Sequence, residues 1–169
     1  MSLSPDLSPD HARLVRKLDS LIELPLEDQT ALGRLTLDVR DVAENVDITS
    51  EGDRPTSCCL LLEGYACRYS LLQDGQRQIM SFHMSGDLPD LQSLHVKTMD
   101  HGIGALTPCR VGFIPHGELL ELTRTQPRIT AALWKDTLVD AAIFRLWLKG
   151  MGRKTAKSRI AHLLCEVFA

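Results

Sequence analysis

A chain of 169 residues, 44% hydrophobic and 24% charged with a net charge of −3, has room for one domain with a real core, or for one domain and a fragment. No apolar run is long enough to span a bilayer, and the start MSLSPDLSPD lacks the basic and apolar regions of a secretory signal. The five cysteines are odd in number and irregularly spaced, which points to reduced thiols in a cytoplasmic protein.

Residues 1–36 read as a loose polar arm followed by short helices. In HARLVRKLDSLIEL, Leu14, Leu18, Leu21 and Ile22 form one helical stripe that Pro25 ends. PLEDQTALGRL follows as a second short helix, with Asp28 and Gln29 near its start. From Leu37 the texture changes. Gly52, Gly64, Gly75 and Gly86 recur at intervals of eleven or twelve residues between short apolar runs, the pattern of a β-sandwich, barrel or roll over residues 37–122. In YACRYSLLQDGQRQIMSFHM, Tyr65, Cys67, Tyr69 and Leu71 alternate with Ala66, Arg68 and Ser70. The Asp74-Gly75 pair then marks a hairpin turn, and Met80, Phe82 and Met84 alternate on the return strand. CRVGFIP is a further strand.

The period changes again after HGELLELTRTQP, giving a long helix within 123–152. Leu133, Thr137, Ala141, Phe144, Leu148 and Met151 step by three and four along a heptad-like seam. The other flank offers Trp134, Leu138, Ala142 and Ile143. One side can lie on the β-domain; the second calls for a partner, and a symmetric copy is the simplest. Gly150 and Gly152 weaken the helix near its end and, with Thr155, suggest a hinge. Residues 155–169 hold a last helix with Thr155 as its N-cap and Ile160, Leu163, Leu164 and Val167 on one face. Arg145, Lys149, Arg153, Lys154, Lys157 and Arg159 are unbalanced by any acid between Ala141 and Cys165. That asymmetry fits either a surface facing a polyanion or a solvated helix face.

With its elements in this order, the chain resembles the Crp–Fnr family of bacterial transcription regulators from about Leu14 onward. LLEGYACRY, QDGQRQIMSFHMSGD, TPCRVGFIP and GRKTAKSRIAHLLCEV carry the likeness. The resemblance implies an α+β fold: a double-stranded β-helix, or jelly-roll-like β-roll, with N-terminal helices and a long C-terminal dimerisation helix. Residues 155–169 then correspond to the first helix of a winged helix-turn-helix domain that would follow Ala169. The partners implied are a second copy, DNA through that domain, RNA polymerase, and an unknown small-molecule effector or none. The alternative is a free-standing dimeric small-molecule-binding module with no role at DNA.

Members that bind cyclic nucleotides follow Gly-Asp with Gly-Glu and later carry Arg-Ser. The Glu accepts from the ribose hydroxyl, and the Arg and backbone N–H groups hold the phosphate. Here Gly86 and Asp87 match, and Leu88 follows. Pro89 removes a donor, Asp90 and Leu91 replace Gly-Glu, and Met99 and Asp100 take the Arg-Ser place. A like-charge contact with a phosphate costs on the order of 4 kcal/mol at about 4 Å, so cyclic AMP binding is expected to be lost. A shifted gap would instead bring Lys97 toward the phosphate.

Other chemistries fit less well. An iron–sulfur cluster wants closely spaced cysteines, but the adjacent Cys58 and Cys59 would point to opposite faces of a strand. Cys67, Cys109 and Cys165 read as packing residues. His83, His95 and His101 are haem or metal ligands by type only, without a His-x-His. No cofactor, metal or catalytic set is expected.

Overall fold

The computed structural model describes residues 4–5, 7–153 and 155–167. Lys154 and the last two residues, noted in the sequence, lie outside them.

The chain enters through helix α1 (Pro9–Leu21). Ser8 caps it by accepting the His11 N–H, and Pro9 occupies the first turn, where its missing N–H costs nothing. Leu14, Val15 and Leu18 of α1 are buried. A short α2 (Leu26–Leu32) follows Pro25.

Seven strands then build two antiparallel sheets, β1 (Asp38–Val42), β2 (Asp47–Thr49), β3 (Ser57–Glu63), β4 (Ala66–Leu71), β5 (Arg77–His83), β6 (Gly102–Ala105) and β7 (Cys109–Pro115). One sheet has the order β1-β7-β3 and the other β2-β6-β4-β5. Together they form the jelly-roll-like β-roll, which does not close into a barrel. Gly75 turns the β4–β5 hairpin at φ 78°. Period-two alternation divides the core. Cys58, Leu60, Leu62 and Ile114 face the helices, whereas Cys59, Leu61 and Val111 face the second sheet. Cys58 and Cys59 thus point opposite ways, as adjacent strand residues must.

The free edge of β3 is covered by the segment after β5. Gly86 N–H donates to Leu61 O at 2.8 Å, Leu61 N–H to Asp87 O at 3.0 Å, and Cys59 N–H to the Asp90 carboxylate at 2.8 Å. Gly86 takes a φ of 99° here, and a Cβ on it would stand 3.1 Å from the Arg13 carbonyl oxygen of α1. Only glycine fits that turn without strain.

Helix α3 (His116–Thr125) leads to α4 (Pro127–Arg153). Gln126 leaves helical geometry ahead of Pro127, which disfavours the α region in the residue before it. The long helix therefore starts at Pro127, and the boundary read at 122/123 falls inside α3. Gly150 and Gly152 remain helical, so the break lies beyond Arg153, not at the glycines. It is followed by α5 (Ala156–Val167), where Thr155 accepts the Ser158 N–H at 3.3 Å in the expected cap. No helix among the described residues is long and apolar enough to cross a membrane.

Candidate functional site

The segment Gly86–Leu91 meets α4 across a cavity of about 90 Å³ between β4, β5 and the helix. Its walls set the charges of Lys17, Arg68, Asp87, Asp136 and Asp140 beside apolar Phe82, Leu88, Leu91, Val139 and Ile143. Arg68 from β4 donates Nε to Pro89 O at 2.7 Å and ion-pairs with Asp140 of α4. Lys17 from α1 bonds Asp87 at 2.7 Å and lies 3.5 Å from Asp136 of α4. On β5, Ser81 and His83 share a hydrogen bond of 2.9 Å, and His83 Nδ1 lies 3.6 Å from Asp87. Two separate elements, β4 and α1, are therefore tied to α4 by paired charges, and Lys17 and His83 hold Asp87 of the adjoining segment beside them. The side chains of Arg68, Asp87 and Asp136 are at most 17% exposed, so these pairs are screened far less than surface ones.

The electrostatics follow from that burial. Burial by itself would raise the pKa of Asp87, but His83 and Lys17 outweigh it and hold the carboxyl at about 2. Burial likewise works against the Lys17 ammonium, and Asp87 and Asp136 raise it above its ordinary value. Asp136 moves up because burial exceeds the pull of Lys17.

Not all of the expected pocket residues gather here. Asp87, Leu88 and Leu91 line the cavity. Gly86 is occupied in the turn, and Asp90, 1% exposed, turns inward to cap β3. Met99 is buried between the sheets, with its N–H bonded to Asp53 O at 2.9 Å. Asp100 points outward and pairs with His101 at 2.8 Å. Met99 and Asp100 therefore do not line this cavity. Lys97 is exposed and is not part of the wall. The residues that do form it, Lys17, Arg68, Asp136 and Asp140, were missed. Arg68 is the one charged residue of its strand, set between Cys67 and Tyr69, and the two acids lie four apart on α4; that was the available signal.

The other candidates sit apart. His95 is exposed, and burial lowers the basicity of His101 and His116. Burial pushes the Cys58 thiol up to about 12 and raises Cys59 as well, so neither is a ready thiolate. Among the described residues no group of three or more His, Cys, Asp or Glu is placed to hold a metal.

On α4, Leu133 is 5% exposed and packs with Leu14 and Leu18 inside its own subunit, so it has little surface left for a partner. Farther along, Phe144, Leu148 and Met151 stay about half exposed. Trp134 (68%) and Leu138 (55%) join that stripe instead of lying on the roll. The roll side is taken by Asp136, Asp140 and Ile143.

Comparison with known proteins agrees with this architecture. The family model for the cyclic nucleotide-binding domain matches residues 39–126. The nitrogen fixation regulation protein FixK of Bradyrhizobium diazoefficiens is 31% identical over 119 residues, which is 69% of this chain and 48% of that protein. The transcriptional activator Anr of Pseudomonas protegens is 26% identical over 148 residues, covering 88% of this chain and 61% of its own length. This chain thus spans about half to three fifths of these relatives. Among solved structures, FixK2 from Bradyrhizobium japonicum superposes with a TM-score of 0.70 at 24% identity, over 78% of this chain and 66% of that one. The β-roll, the helix order and these matches together show that the chain belongs to the cyclic nucleotide-binding domain family, in the Crp–Fnr group of transcription regulators.

Proposed function

We propose that this chain is the sensing and dimerisation portion of a DNA-binding transcription regulator, working in the cytoplasm without catalysis and without responding to cyclic AMP. Its relatives are named as regulators and activators, which supports DNA and RNA polymerase as partners of the whole protein. The dimer reading rests on the exposed stripe Trp134, Leu138, Phe144, Leu148 and Met151, since a helix face of that kind calls for cover.

The observation that carries the effector reading is the pairing of Arg68 with Asp140. A cyclic phosphate needs an arginine free to fork onto it. Here the guanidinium is engaged by Pro89 O and Asp140, and the space beside it is about 90 Å³, against roughly 300 Å³ or more for ordinary ligand pockets. A nucleotide entering would break at least one charged hydrogen bond, at roughly 1.5–3 kcal/mol, and would push α4 away. The roll is thereby latched to α4 by its own side chains. Titration calorimetry of the purified chain with cyclic AMP is expected to show no binding; a micromolar dissociation constant overturns the reading.

A further inference from the structure

A second cavity, about 360 Å³, opens in the angle between α4 and α5. We infer that it is a binding site for a small amphipathic organic anion, separate from the nucleotide position of the roll. Ile79 and Phe82 of β5 form one wall, Trp147 and Met151 of α4 another, and Arg159 and Ile160 of α5 the third. The rings of Phe82 and Trp147 meet at 5.6 Å and 46°, which gives a firm apolar floor. Gly150 adds room because it has no side chain. The volume falls in the range of small-molecule sites and is four times that of the latched cavity.

The charge of the lining selects the ligand. It contains no Asp or Glu, and Arg159 has no carboxylate partner among the described residues. Arg159 also stands in the first turn of α5, where the helix dipole opposes a cation and favours an anion. An anionic head group there would meet both attractions, while an aromatic or aliphatic body fills the space against Phe82, Trp147 and Ile160. Occupancy would set the direction in which α5 leaves α4. The site itself does not depend on the regulator reading.

The test uses the whole chain and two fluorescent probes of similar shape, anilinonaphthalene sulfonate and neutral N-phenylnaphthylamine. Saturable binding of one sulfonate per chain is expected, about tenfold or more tighter than the neutral dye. Arg159→Gln should erase that preference without shifting the melting temperature, and Ile79→Trp should fill the cavity and abolish both signals. Arg145→Gln, a basic change outside the lining, should leave binding unchanged. Equal sulfonate affinity in Arg159→Gln overturns the proposal. So does loss of dye in Phe144→Asp with retention in Ile79→Trp, which would place the probe on the exposed stripe of α4.

Discussion

Asp90 has one carboxylate oxygen on the Cys59 N–H at 2.8 Å and the other buried without a partner. Burial raises its pKa to about 6, although the Cys59 N–H and Arg68 pull the other way. The folded chain therefore holds this proton more tightly than the unfolded one, and stability falls as pH rises from about 4 to about 6. Asp90→Asn keeps an acceptor for Cys59 and should stabilise the chain at neutral pH by roughly 2–3 kcal/mol, with the slope between those pH values removed. Asp87 behaves oppositely. Held at about 2 against an ordinary 3.8, it contributes stability that is present above about pH 4 and is lost as pH falls toward 2. Asp87→Asn should remove roughly 2 kcal/mol at neutral pH. Urea denaturation of both variants across the acid range checks the two signs; parallel curves for variant and parent would refute them.

Helix α4 has two faces with different tasks. Its inner face carries Asp136 and Asp140 to Lys17 and Arg68, and its outer face leaves Trp134, Leu138 and Phe144 in water. Asp140→Ala removes the partner of a guanidinium that is only 15% exposed, while Asp140 itself keeps contact with solvent. The loss is expected to be about 1–2 kcal/mol, below that of a fully buried pair. Limited proteolysis should reach α4 sooner in that variant. Phe144→Asp acts on the outer face. Placing a charge in an apolar seam should convert a micromolar dimer to monomer with little change in the melting of the subunit itself. Sedimentation reads this directly, and a parent chain that already runs as a monomer at micromolar concentration refutes the seam.

For the molecule as a whole, the charges separate. The net charge is −3, yet Arg145, Lys149, Lys157 and Arg159 are exposed together at the α4–α5 end. Such a cluster neutralises few phosphates, so any attraction to DNA should be weak and fall steeply with salt. It offers no helix set to read base edges in a groove. The chain is therefore expected not to select a DNA sequence; selective binding in competition at physiological salt would contradict this.

Much of the architecture was legible because it obeys local periods. The glycine turns, the Asp74-Gly75 hairpin, the opposed Cys58 and Cys59 and the cap at Thr155 each follow from residues a few positions apart, which geometry forces into one arrangement. The charged cavity beside α4 was not legible in the same way. Lys17 meets Asp87 across 70 positions, and Arg68 meets Asp140 across 72. No periodicity links such pairs; only the docking of α1 and α4 on the roll does. The same docking buries Leu133 in its own subunit, and strand pairing directs Asp90 to the β3 edge and Met99 into the core. By itself the sequence determined the elements, their order and the loss of the cyclic-nucleotide pattern. Tertiary structure decided which charges meet in the cavity beside α4, because long-range burial selects partners that spacing along the chain does not encode.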